Sequence, residues 1–228
     1  MGQIIALGTY KGGSGKSTVA THLAAQYAHD GYDTLLIDGD NNVQSSANWA
    51  ADRGEIDPPV PRVSCVQKTG KGFGQELKAI AQKYDRVVVD TPGADGPELQ
   101  GALRHADFLI VPLRPSQYDA WAMEYIAESI AGAAESNEKL AAGIVVVAAP
   151  TNPNMKDLAE IRSYAEHYSD TMGLFSARLS YRAAWWRHSG DGMTVFEAGG
   201  KDDPAAFEWR RFYKELTREI ASLQEEVA

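Results

Sequence analysis

The chain has 228 residues, 44% of them hydrophobic, a net charge of −9 and one cysteine, Cys65. That composition excludes an intramolecular disulfide and a low-complexity chain, and no apolar run approaches the ~18 residues of a membrane span. The first residues lack the charged-then-apolar layout of a leader, so a cytoplasmic protein is expected. In chain order, short apolar runs predict strands at 4–7, 34–37, 63–66, 86–89, 108–111 and 144–148, with a weaker one near 174–179. Amphipathic stretches between them predict helices at about 17–30, 43–52, 73–83, 118–134 and 155–168. A last helix runs from about Pro204 and carries Phe207, Phe212, Leu216, Ile220 and Leu223 on a roughly helical period. Segments 54–61 and 68–74 read as loops because Gly and Pro punctuate them. Several strands are Val/Ile/Leu-rich without alternation, as strands covered on both faces are. The alternation predicts an α/β fold: a single doubly wound, mostly parallel sheet with helices on both faces, in one domain spanning 1–228.

Directly after the first strand stands Gly8-Thr-Tyr-Lys-Gly-Gly-Ser-Gly-Lys-Ser-Thr18. Closely spaced glycines let backbone N–H groups converge on a polyphosphate where side chains would block it. The helix opening near Lys16 adds the positive end of its dipole. Gly12, Gly13, Ser14, Gly15 and Thr18 form the cradle, Lys16 reaches for the β and γ phosphates, and the Ser17 hydroxyl is suited to hold Mg²⁺. The strict phosphate-loop pattern asks for glycine where this chain has Tyr10. The chain has instead an added lysine, Lys11, which is either a solvated loop residue or a second functional cation.

The second strand ends in Asp38-Gly-Asp40-Asn-Asn-Val-Gln44, with two carboxylates where doubly wound sheets bind ligands. Either aspartate could instead be a helix N-cap. The fourth strand ends in Val-Val-Val-Asp90, followed by Thr-Pro-Gly93; an apolar strand ending in aspartate aims a carboxylate at a phosphate-bound Mg²⁺.

Taken in order, Lys-Gly-Gly-x-Gly-Lys-Ser, Asp-x-Asp and Asp-Thr-Pro-Gly resemble the deviant Walker A ATPases of the ParA and MinD type. The resemblance implies an ATPase binding ATP and Mg²⁺, with Lys11 reaching across an ATP-dependent homodimer to the partner's nucleotide, as an arginine finger does. It implies Asp40 as the residue that orients the attacking water and contacts the Mg²⁺ shell, Ser17 and Asp90 as metal-site residues, and the Gly93 N–H as a sensor of the γ-phosphate. Asn41-Asn42 stands where the family has Pro-Gln. No Glu or His is placed as a strong base, so slow turnover is expected.

Pro112-Leu-Arg-Pro-Ser-Gln-Tyr-Asp119 and Asp191-Gly-Met-Thr-Val-Phe-Glu197 resemble stretches of the short, ParF-like partition ATPases. By family position Pro150 and Thr151, within Ala149-Pro-Thr-Asn-Pro153, would lie near the adenine. The resemblance implies a cargo-positioning ATPase on nonspecific DNA, stimulated by a ParB-like or other adaptor and associated with the nucleoid; the alternative is a regulatory or assembly ATPase of the same fold that never touches DNA. The acidic C-terminal tip argues against a membrane-surface helix.

Between residues 178 and 218, eight Lys/Arg meet six Asp/Glu, a local +2 against −11 elsewhere (fourteen against twenty-five). Arg211, Lys214 and Arg218 share one helical face, flanked by Arg210 and with Arg187 as an extension. This face is either a DNA surface or a solvated one. Trp185-Trp186 is either a dimer or partner surface or partly core.

Overall fold

A computed structural model describes residues 2–152 and 156–227. Seven strands form one sheet in the order β3-β2-β4-β1-β5-β6-β7: β1 (Gln3–Leu7), β2 (Thr34–Asp38), β3 (Ser64–Gln67), β4 (Arg86–Asp90), β5 (Phe108–Leu113), β6 (Ala141–Ala149) and β7 (Gly173–Ser180). Every pairing is parallel, one step beyond the mostly parallel sheet expected.

The helices are α1 (Lys16–His29), α2 (Ser45–Arg53), α3 (Phe73–Ile80), α4 (Pro97–Leu103), α5 (Gln117–Ala134), α6 (Lys156–Glu166), α7 (Ala184–Ser189), α8 (Val195–Ala198) and α9 (Pro204–Val227), with a 3-10 turn at Ala81–Lys83. On one face of the sheet Leu23 of α1, Trp49 of α2, Trp185 of α7 and Trp209 and Phe212 of α9 pack against Ile5, Leu36 and Val145. On the other, Leu77 of α3, Leu103 of α4, Met123 of α5 and Ile161 of α6 pack against Ile4, Val87 and Ile144. Among the described residues no helix is long and apolar enough to cross a membrane.

Register fixes where chemistry can occur. Leu7 pairs with Asp90 and Asp38 pairs with Asp90, so three neighbouring strands end level with one another. The loop after Leu7 and both strand-terminal carboxylates therefore share one edge, the carboxyl end where such sheets bind ligands.

Three helices escape the periodicity reading. α4 is short, but its start is marked by Pro97 in the first turn after Gly96, with Glu98 behind it. α7 and α8 have six and four residues, too few to show a period. α8 is set by a capping box between Thr194 and Glu197. The predicted start of the fifth helix at Met155, like Pro153, lies outside the described residues. One apolar assignment in α9 is corrected: Phe207 is exposed, and Trp209 is fully buried in its place. The buried stripe runs Ala205, Trp209, Phe212, Leu216, Ile220, at spacings of three and four that keep it on one side of the helix.

His22 ties this scaffold to the phosphate loop. Its ring is wholly buried among Trp185, Trp209 and Phe196. Nδ1 lies 2.8 Å from the Thr18 carbonyl, and Nε2 accepts the Val195 N–H at 3.1 Å. Burial pushes its pKa down to about 4, so the ring is neutral when folded and protonates more readily when unfolded. Its stabilising contribution is complete above about pH 6.5 and is lost as pH falls toward 4. Asp90, pushed up to about 6 by burial, acts with the opposite sign across part of that window. The informative quantity is therefore the difference in unfolding free energy between parent and His22→Gln. In urea titrations that difference should shrink by roughly 2–3 kcal/mol between pH 7.5 and 4.5; a pH-independent difference would contradict the neutral-ring assignment.

Candidate functional site

Between β1 and α1 the chain turns through Gly13 at φ +69° and Gly15 at φ +87°. Only residues without a Cβ take such angles freely, and here they wrap the loop tightly enough to bury Ser14, whose Oγ has no partner. Lys16 is almost fully buried and donates Nζ to the Lys11 carbonyl at 3.0 Å. Burial lowers the Lys16 pKa, while the charges of Asp90 and Asp40 oppose that shift. The lysine thus sits between the loop and two carboxylates.

Asp90 is buried at the end of β4 and accepts the Ser46 hydroxyl at 2.7 Å. Its Oδ1 is buried without a partner. A buried carboxylate oxygen left bare costs free energy unless a ligand meets it. The bare oxygen and the raised pKa therefore fit a cation, which would reverse both penalties. Among the described residues no three His, Cys, Asp or Glu side chains converge as metal ligands; Mg²⁺ held by one or two protein oxygens, water and phosphate does not require them.

The two aspartates at the end of β2 and just beyond it, Asp38 and Asp40, part company. Asp38 is fully buried, and its oxygens accept the backbone N–H groups of Asp40 and Ala47, both at 2.9 Å. It braces the loop leading into α2, so backbone capping describes it. Asp40 is partly exposed and accepts the N–H groups of Asn42 and Val43 at 2.8 and 3.2 Å. This loop ends at Gln44 in a left-handed conformation, φ 53°, a strained posture of the sort found at ligand-responsive segments.

Gly93 abuts the front of the phosphate loop. A Cβ there would lie 2.5 Å from the Gly12 nitrogen and 2.7 Å from the Lys11 carbonyl carbon. Any side chain would push the segment after β4 off the loop.

Lys11 is not free in this state. Its Nζ forms an ion pair with Asp119, whose carboxyl also accepts the Ser116 hydroxyl, and it lies 5.7 Å above the Tyr118 ring. Arg114 adds a second cation at 3.6 Å from Asp119. Burial favours the neutral acid, but hydrogen bonds from Lys11 and Ser116 and the nearby positive charges win, holding the Asp119 carboxyl below the usual carboxylate range. In sequence Asp119 is one member of a motif with nothing to mark its role; only the fold brings the first turn of α5 to the loop.

A cavity of about 250 Å³ opens beside the loop, lined by Gly13, Gly15, Thr18, Val147, Ala148 and Tyr181 among others. Pro150 and Thr151 follow the end of β6 and are not among the residues lining this cavity, and Thr151 is exposed. Trp185 and Trp186, both on the cavity wall, divide between core and surface. Trp185 is buried and donates Nε1 to the Ser180 carbonyl at 2.9 Å, whereas Trp186 is exposed.

The five basic residues singled out as a DNA surface are all exposed: Arg187 on α7, and Arg210, Arg211, Lys214 and Arg218 on α9. Two of the acids interleaved with them are turned away. Glu215 accepts the N–H groups of Ser176 and Ala177 at 2.7 and 2.8 Å, and Glu208 accepts that of Ser180 and pairs with Arg182. These carboxylates cap the open edge of β7 and leave the outer face of α9 more basic than its sequence suggests.

Glu197 holds a second buried network. It pairs with Arg53 at the end of α2 and with His29, and its pKa falls to about 2 because hydrogen bonding and charge from Arg53 outweigh burial. The Asp191 to Glu197 motif is thereby accounted for as packing of α8 against α2.

Residues 3–130 match the family described as ATPase MipZ. Over 219 residues the chain is 26% identical to the Maintenance of carboxysome distribution protein A of Halothiobacillus neapolitanus, covering 93% of this chain and 95% of that protein. In fold it resembles the ATP complex of a McdA variant from Cyanothece (TM-score 0.77, 13% identity, 97% of this chain and 96% of the other). It also resembles the septum site-determining protein MinD with Mg-ADP from Pyrococcus horikoshii (TM-score 0.74, 15% identity, 98% and 99%).

Proposed function

Because the chain belongs to the MipZ family of ATPases, of the ParA/MinD type, we propose that it is a nucleotide-switched dimer that positions cargo on nonspecific DNA, with hydrolysis stimulated by an adaptor. The observation that carries this reading is the front lysine: Lys11 stands at the mouth of the phosphate loop, outside the cradle that Lys16 already serves, and 29% of its side chain is exposed. Release from Asp119 would free it to meet a second nucleotide.

In this account the loop amides and Lys16 bind the triphosphate of ATP, and Ser17 and Asp90 hold Mg²⁺. When bound, the metal neutralises charge building on the transferred phosphoryl group. Asp40, partly exposed at the end of its loop, orients the attacking water. Gly93 keeps the segment after Asp90 close enough for its N–H to register the γ-phosphate. Lys11 from the partner subunit completes the charge stabilisation, so hydrolysis is slow until a dimer forms and an adaptor orders the loops. The cargo is a plasmid, a chromosome region or a protein cluster, and the protein resides in the cytoplasm on the nucleoid.

DNA binding by an acidic chain is supported by the sorting of charge on α9: local potential, doubled in a dimer, acts over about one Debye length regardless of the net −9. Arg211→Glu combined with Arg218→Glu should lower nonspecific DNA affinity at least about tenfold at matched salt. It should also flatten the salt dependence by roughly 0.9 for each phosphate no longer neutralised, while ATP-dependent dimerisation persists. Parental DNA binding by this variant would place the DNA surface elsewhere. A parent that binds no DNA with ATP present would favour an assembly ATPase acting on protein alone.

A further inference from the structure

We propose that Tyr10 is a positioning residue for Lys11: it clamps the front of the phosphate loop to α5, so that the lysine stays aimed outward after it leaves Asp119. The inference rests on the reading of Lys11 as a charge supplied in trans. A phosphate loop of the strict pattern has glycine at this position. The ring that stands here instead is turned out of the cradle and onto α5. The Tyr10 and Ser129 hydroxyls lie 2.6 Å apart, across 119 residues of chain. The Tyr10 ring meets that of Tyr125 at 6.1 Å with planes 50° apart, and it is half-buried against the core on that side of the sheet. Tyr125 and Ser129 are one helical turn apart and share a face of α5, so together they hold Tyr10 by its ring and by its hydroxyl.

Lys11 is tied to the same helix at a different place. Asp119 lies in the first turn of α5, and Ser129 follows about 15 Å further along the axis at 1.5 Å per residue. Tyr10 and Lys11 therefore grip α5 at two separated points, and releasing one leaves the other. Asp119 takes the Lys11 ammonium, Lys16 takes the Lys11 carbonyl at 3.0 Å, and Tyr10 fixes the residue just upstream. The proposed reaction draws on the first two: Lys16 turns to the phosphates and Lys11 leaves Asp119. The Tyr10 clamp uses no group that either step needs. Downstream of Lys11 come Gly12 and Gly13, which have no side chain to anchor and open space where a Cβ would stand. Anchored upstream and flanked by glycine downstream, the lysine can swing without the loop front drifting from α5.

The test measures hydrolysis at saturating ATP and Mg²⁺ beside calorimetric ATP affinity, on the full chain. Tyr10→Ala should lower the rate about 10- to 100-fold, as misplacing a group by about 1 Å does, and leave ATP affinity within a few-fold of the parent. Tyr10→Phe and Ser129→Ala each remove one end of the hydroxyl contact and keep both rings. Each should cost about 2- to 10-fold in rate, and the two together no more than either alone. In a Lys11→Ala background Tyr10→Ala should cost nothing further, because the group it positions is gone. A parental rate in Tyr10→Ala overturns the proposal; should that variant not fold, parental rates in both Tyr10→Phe and Ser129→Ala overturn it equally. A loss of ATP affinity matching the loss of rate also overturns it, making Tyr10 a support of the cradle. So does an equal loss with and without Lys11, which would make it a support of the fold. A folded Lys11→Ala with the parental rate refutes instead the trans-acting lysine on which the proposal rests.

Discussion

Lys16→Ala should abolish measurable ATP binding in a chain that still folds. Lys16 is 6% exposed, and its ammonium stands between the loop carbonyl of Lys11 and the charges of Asp90 and Asp40. Removing it deprives the phosphates of their nearest cation and leaves two carboxylates facing the same space. Truncating one member of a buried charged pair costs 2–5 kcal/mol or more, about 30- to 5,000-fold in affinity. The loop itself should survive, because Gly13 and Gly15 set its turn through their own backbone angles. A circular-dichroism check of the fold with calorimetric titration of ATP reads the result. Parental affinity in a folded variant would remove the nucleotide site from this loop.

The second large effect concerns Lys11. Its replacement by alanine should leave ATP affinity within a few-fold of the parent, because Lys16 and the loop amides remain. Hydrolysis in the dimer should fall by about 10³-fold, the lower end of what a charge supplied in trans contributes. The variant also strips Asp119 of its closest partner. Arg114, 3.6 Å from Asp119, stands ready to take over that pairing, so α5 should keep its place and the chain its fold. Single-turnover hydrolysis with saturating ATP and Mg²⁺ separates the outcomes. A loss of ATP affinity matched to the loss of rate would make Lys11 an ordinary cradle residue; an unchanged rate would make it a solvated one.

Much of this site is legible in the sequence because each part obeys a local rule. Glycines at 13 and 15 are demanded by left-handed angles, and Asp90 closes an apolar strand, so both announce themselves by spacing. The rest depends on long-range placement. Asp119 is 108 residues from Lys11 along the chain, and only the adjacency of β1 and β5 brings them together. The cavity beside the phosphate loop lies against the start of α7, a helix too short to show a period. On α9 the interleaved glutamates dilute the basic face when the sequence is read alone, yet two of them serve the free edge of β7. An edge strand's unpaired N–H groups have no signature in sequence until its neighbours are known.

The most direct test of the central claim is the mass in solution of Asp40→Ala, a variant expected to bind ATP but not to hydrolyse it. Multi-angle light scattering should give the 24.8 kDa monomer with ADP and Mg²⁺, and about twice that mass with ATP and Mg²⁺. The same mass under both conditions, with ATP binding confirmed in parallel, would contradict a nucleotide-switched dimer.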